Sequence, residues 1–92
     1  MIKSFRHKGL EDYYSTGSKR GILPDHAAKL SRLLDRLDAS TGPQDMSLPG
    51  FALHPLQGAR RGQWAVSVSG NWRLVFEFQG PDAINIDYLD YH

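Results

Sequence analysis

The stretch "QWAVSVSGNWRLVFEF", residues 63–78, decides the fold. Trp64, Val66 and Val68 alternate with small residues, and Trp72, Leu74, Phe76 and Phe78 alternate with Arg73, Val75 and Glu77. Alternation at period two marks a half-buried strand, and Gly70-Asn71 between two such runs predicts a tight hairpin. A strict two-residue turn, however, puts Val66, Val68 and Val75 on the face of Arg73. Two arrangements accommodate this: a sheet with cover on both faces, or a longer turn that shifts the register.

Working outward, "GPD" at residues 80–82 turns the chain into a last strand, "AINIDYL". On the other side, "FALHP" (51–55) predicts a strand ending at His54, because a residue before proline is pushed into extended geometry. Upstream of the loop "QDMSLPG" the periodicity becomes helical. Ala27, Leu30, Leu33, Leu34 and Leu37 form one stripe, opposite Lys29, Arg32, Asp35 and Arg36. Pro24 suits the first turn of this helix, Asp25 complements its dipole, and "STGP" at 40–43 stops it. Leu10, Tyr13 and Tyr14 predict a shorter helix that Gly17 ends in a left-handed conformation. "IKSF" reads as a short first strand. Two helices followed by consecutive strands make an α+β order, an antiparallel sheet packed on one side by helices.

Ninety-two residues support one core, so residues 1–92 are read as a single domain. The 40% hydrophobic and 23% charged content is that of a folded domain. With no cysteine, there is neither a disulfide framework nor a thiolate metal site. The start "MIKSFRHKG" lacks the apolar run of a signal peptide, and no stretch approaches the ~18 apolar residues of a membrane span, so a cytoplasmic location without membrane contact is expected. The net charge of +1 conceals an asymmetry: residues 1–36 hold eight Lys or Arg against four acids, and residues 37–92 three against six. A basic face suited to phosphate is therefore compatible with a near-neutral protein, although a solvated helical surface produces the same split.

The chemically capable residues cluster toward the end of the chain. His7 and His26 are read as surface residues, whereas His54 and His92 each end a predicted strand. If the substrate is RNA, its 2′-hydroxyl is the internal nucleophile. Cleavage then needs a base, an acid for the departing 5′-oxygen, and positive charge for the phosphorane. Histidine serves as base or acid at neutral pH, Asp90 would orient His92 or Tyr91, and Arg73 with Arg60 or Arg61 would meet the phosphate. This scheme uses no cofactor and no metal, and no HxxxH spacing or paired carboxylate cluster offers a metal a site. Singly, each residue has a plain structural role: His54 as an extended residue before proline, Arg73 stacking beside Trp72, the two tryptophans as sheet packing.

Taken together, "SFRHKGLEDYY", "LHPLQGARRGQW", "GNWRLVFEF" and the terminal "DYH" resemble the HigB toxins of bacterial toxin–antitoxin systems, including the GraT-type toxins. The resemblance spans nearly the whole chain and implies a RelE-like α+β fold, with two N-terminal helices on a curved, mainly antiparallel sheet. It further implies a ribosome-dependent mRNA endonuclease that enters the decoding site and cuts mRNA there. By motif, His54, Arg73, Asp90, Tyr91 and His92 carry over as active-site positions. His92 and Asp90 would share the proton transfers, with the division into acid and base left open; His54 would lie near the reacting phosphate, Arg73 would stabilise the phosphorane and Tyr91 would help hold the mRNA. Implied partners are mRNA, the 70S ribosome through its 16S rRNA, and a helix-turn-helix antitoxin of the HigA type, through which operator DNA is met indirectly. Gln57, Arg60, Arg61 and the basic N-terminal Lys3, Arg6 and Lys8 are the expected RNA-binding residues.

One position departs from the family pattern: Gln57 stands where a lysine commonly follows HPL. A neutral amide brings no charge to a phosphate, so a comparatively mild nuclease is expected. Two rivals use the same fold class for binding alone, a gyrase-directed toxin of the ParE type and an inactive co-repressor acting with its antitoxin. The combination of His54 with Tyr91-His92 favours the nuclease over the ParE-type reading, whereas Gln57 keeps the co-repressor reading open.

Overall fold

The computed structural model describes residues 1–91. Two helices, α1 (Lys8–Thr16) and α2 (Ala27–Ala39), precede a four-stranded sheet of β1 (His54–Pro55), β2 (Trp64–Ser69), β3 (Trp72–Gln79) and β4 (Asp82–Asp90). The strands pair antiparallel in chain order, β1-β2-β3-β4.

The start of α1 is fixed by His7, whose Nδ1 accepts from the Leu10 N–H at 2.9 Å. Its end is fixed by Gly17, at φ 81°, whose N–H reaches the Tyr13 carbonyl, as the glycine predicts. The second helix begins three residues later than Pro24, since Pro24–His26 form a tight 3₁₀ turn leading into it. Leu30, Leu33, Leu34 and Leu37 are all fully buried, and each favours the packed state by roughly 1.5–3 kcal/mol. Ser40 adopts extended geometry and ends the helix, its hydroxyl donating to the Arg36 carbonyl. Gly9 and Gly21 bring the start of α1 against the strap before α2. A Cβ on Gly9 would lie 2.7 Å from the Gly21 Cα, so only glycine permits this approach.

The hairpin resolves the register question with a bulge. Ser69 faces Trp72, yet the next pair is Ser67 with Arg73, which leaves Val68 as an extra residue. Beyond it Val66 faces Leu74 and Trp64 faces Phe76 on the helix side, while Ala65 faces Val75 on the other. That other face also has a little cover: Leu56, Ala65 and Val75 form a second apolar cluster, with Leu89 packed against it.

Three expectations are corrected. "IKSF" forms no strand but makes isolated parallel bridges from Ile2 to Ala83 and from Phe5 to Ile86 along the free edge of β4. A continuous ladder is interrupted because β4 bulges at Asn85, φ 53°, whose N–H donates to the Ser4 hydroxyl. The strand expected over 51–55 shrinks to His54–Pro55, since Ala52 sits at φ 53° and breaks the extended run. Finally, His26 is not a surface residue. It is 6% exposed, with Nδ1 2.6 Å from the Tyr88 hydroxyl and its ring edge against Trp72.

Candidate active site

The pleat assigns each candidate to a face. His54 stands opposite Ala65, Ala65 opposite Val75, and Arg73 two residues before Val75, so His54 and Arg73 project from the side of the sheet away from the helices. Strand spacing and rise put their Cα atoms about 12 Å apart. The two side chains therefore border one stretch of this face, His54 toward the β1 edge and Arg73 toward the hairpin end.

His54 is half-buried, and its Nδ1 lies 3.0 Å from the Ala52 carbonyl. A carbonyl only accepts, so Nδ1 is the donor in this contact and Nε2 is the ring nitrogen left to other partners. The positive φ that shortens β1 at Ala52 thus also orients the histidine. Arg73 is half-buried and opposes Ser67 and Leu89; its Nη1 donates to the carbonyls of Gly70 at 2.6 Å and Trp72 at 3.0 Å, which holds the guanidinium at the hairpin end.

Tyr91 follows β4, with its N–H on the Asn71 carbonyl at 2.8 Å and the Arg60 guanidinium 6.0 Å from its ring centre. The loop predicted as a basic turn is a 3₁₀ turn, Gly58–Arg60. A polar chain with no signature in the residue pattern crosses the same face and holds Arg60 there. Arg60 Nη1 donates to Gln63 Oε1 at 3.1 Å, Gln63 Nε2 to Glu77 Oε2 at 3.3 Å, and the bulged Asn85 to the same Glu77 oxygen at 3.4 Å. Gln57 and Arg61 flank the turn and are exposed.

Not all candidates share this face. Asp90 opposes Trp72 and is two residues from Tyr88, which places it on the helix side, where it lines a cavity with both. His92, expected beside Arg73 and His54, lies outside the described residues. Lys3 and Arg6 are exposed on the segment that borders β4, at the edge of the sheet opposite β1. Lys8 pairs with Asp12 at 3.2 Å, and this hydrogen bond raises its pKa above the ordinary lysine value. Among the described residues no three His, Asp or Glu side chains gather as a metal ion would require, and no helix is long and apolar enough to cross a membrane.

The arrangement is therefore an oriented imidazole and a fixed guanidinium on one sheet face, bordered by a second arginine and a tyrosine. The profile for the RelE-like toxin of the type II toxin–antitoxin system HigB matches residues 3–92. The chain belongs to the HigB family of RelE-like toxins. Among curated HigB proteins it is 37% identical to the Endoribonuclease HigB of Proteus vulgaris over 92 residues, the full length of both. It is 31% identical to Toxin HigB-1 of Vibrio cholerae serotype O1 over 94 aligned positions, covering all of this chain and 98% of that protein. The α+β fold is thus the RelE-like one, and the toxin is of the type II class, whose systems pair a HigB toxin with an antitoxin.

Proposed function

We propose that this HigB-family toxin is an endoribonuclease that cuts mRNA in the A site of the translating ribosome. The 2′-hydroxyl of the nucleotide preceding the scissile bond attacks the phosphorus and the 5′-oxygen of the next nucleotide departs, leaving a 2′,3′-cyclic phosphate. His54 is the group to accept the 2′ proton, because its Nδ1 is committed to the Ala52 carbonyl and Nε2 is the nitrogen left to the substrate. Arg73 stabilises the doubly charged phosphorane, where a fixed cation contributes more than it would in water. His92 supplies the proton to the departing oxygen, Asp90 supports it, and Tyr91 with Arg60 holds the strand. No step calls on a metal or cofactor.

The observation that carries this reading is His54, held through Nδ1 on the Ala52 carbonyl, on the same face as Arg73, in a chain that aligns end to end with a protein named as an endoribonuclease. Arg61, Lys3, Arg6 and Lys8 would add contacts to the phosphates of mRNA and 16S rRNA. A HigA-type helix-turn-helix antitoxin would neutralise the toxin and link it to operator DNA, and the setting would be the cytoplasm. Purified protein added to translating ribosomes should produce new mRNA 5′ ends at A-site codons, and deletion of His92 should abolish them. Wild-type protein that yields no ribosome-dependent cuts would leave one of the binding-only alternatives standing.

A further inference from the structure

On the helix side of the sheet, behind the hairpin end that carries Arg73, lies a cavity of about 390 Å³. It is lined by the strap before α2, including Arg20 and Leu23, and by Trp72, Tyr88 and Asp90. Its volume falls in the range of ligand clefts, roughly 300–1,000 Å³, and is ample for one nucleobase. We propose that this cavity takes a single unstacked nucleotide of the RNA, its base against Trp72 and its phosphate against Arg20. The identity of the ligand as RNA rests on the endoribonuclease reading, whereas the cavity and its chemistry stand without it.

Three features favour a nucleotide. First, Trp72 is half-buried and locked: its ring lies 4.7 Å from that of Tyr88 at 31°, and the His26 ring meets it at 5.5 Å. A ring held in this way stacks a base with little ordering cost. Second, Leu23 is 44% exposed at the lip, a large apolar side chain that a base in the cavity would cover. Third, Arg20 is exposed and has no ion-pair partner among the described residues, so its guanidinium is available to a phosphate. With Trp72 walling the cavity and Arg20 exposed at the strap, the base lies toward the ring and the phosphate toward Arg20. Gly9 and Gly21 set the width by fixing the strap against α1. The cavity and the His54–Arg73 face meet at the ends of β3 and β4, so one strand crossing that end can present its phosphate to one and a neighbouring base to the other.

The test is an NMR titration of the full chain with adenosine 5′-monophosphate, with ribose 5-phosphate and adenosine as controls. Saturable shifts are expected at the Trp72 indole and the Leu23 amide, with a Kd of about 1 mM or tighter, while ribose 5-phosphate leaves the indole unmoved. Trp72→Leu should weaken binding about 5- to 150-fold, the loss expected for one base–aromatic stack. Because Trp72 also packs against Tyr88, the exposed Leu23→Ala variant gives a second measure and should weaken binding several-fold with the spectrum otherwise unchanged. Arg20→Gln should weaken the nucleotide and leave the nucleoside as it was. Equal shifts from ribose 5-phosphate, or no saturable movement of the Trp72 indole by about 10 mM, would overturn the proposal. Nucleotide binding at Trp72 with mRNA left uncut on ribosomes would refute the nuclease and keep the pocket; cleavage without Trp72 shifts would refute the pocket alone.

Discussion

Replacing Tyr88 by phenylalanine removes one oxygen from the junction between the helices and the last strand. That oxygen lies 2.6 Å from Nδ1 of His26, which is buried, and 3.4 Å from the Leu23 N–H. The ring remains, so its packing on Trp72 and His7 is preserved. Leu23 is at the surface and water can replace its partner, whereas His26 is enclosed and its ring nitrogen is left unpaired. A buried polar atom stranded in this way costs about 1–3 kcal/mol. For a domain of this size, 1 kcal/mol corresponds to roughly 4–8 °C in melting temperature, so a loss of about 10 °C is expected. Thermal unfolding followed by circular dichroism at neutral pH measures it. A double-mutant cycle with His26→Leu should return a coupling of about 1–2 kcal/mol, as expected of contacting residues.

The same hydroxyl gives the pH dependence a sign. Burial is the largest influence on Tyr88 and raises its pKa above the ordinary tyrosine value, against the lowering effect of the Leu23 N–H. A group whose folded-state pKa is raised contributes stability that is complete below the unfolded pKa, near ~10, and is lost as the pH rises through the folded value. Wild-type protein should therefore lose stability above about pH 10, and Tyr88→Phe should lose less over that window. A melting temperature unchanged within about 2 °C at neutral pH, or identical alkaline profiles, would refute the role assigned to this hydrogen bond.

Three further outcomes are expected. His54→Ala should reduce ribosome-dependent cleavage about 10²- to 10⁴-fold, the contribution of a positioned acid or base, with the melting temperature little changed because the residue is only half-buried. Gln57→Lys should raise cleavage of ribosome-bound mRNA by restoring a cation near the phosphate; equal or lower cleavage would show that the amide is not the limiting feature. Asn85→Val should destabilise by about 1–3 kcal/mol, since a β-branched residue tolerates φ 53° poorly, while Asn85→Gly should come within about 1 kcal/mol of wild type in urea denaturation.

The parts of the fold that were legible in the sequence are those determined by near neighbours. The leucine spacing from 27 to 37 gave the second helix and its buried face, Gly17 gave the end of the first, and alternation about Gly70 gave the hairpin. What was not legible depends on contacts remote in sequence or on single backbone angles. The bulge at Val68 changes the register by one residue without altering which side chains are apolar, so the pattern alone accommodated two arrangements. His26 looked like an exposed first-turn residue because its partner, Tyr88, lies 62 positions away. The left-handed conformation of Ala52, which both shortens β1 and orients His54, carries no residue signature.

At the candidate site, "LHPL" and "NWR" pointed to His54 and Arg73, and the sheet places them on one face. Asp90, the last residue of β4, alternates with Leu89 and goes toward Trp72 and Tyr88 on the helix side. Trp72, read as sheet packing, does pack, and it also walls the cavity. The chain Arg60–Gln63–Glu77–Asn85 was hidden because its members come from a loop, a strand edge, a strand and a bulge.

The most direct test of the central claim, that His54 and Arg73 drive attack by the RNA's own 2′-hydroxyl, is to replace one hydroxyl in the substrate. Ribosomes are programmed with mRNA carrying a single 2′-deoxynucleotide immediately 5′ of the mapped cut, and the ends formed by the wild-type toxin are analysed. Loss of cleavage at that bond, with 2′,3′-cyclic phosphate ends on the unmodified message, is the predicted result. Continued cleavage at the deoxy position would require a nucleophile from outside the RNA and would contradict the account.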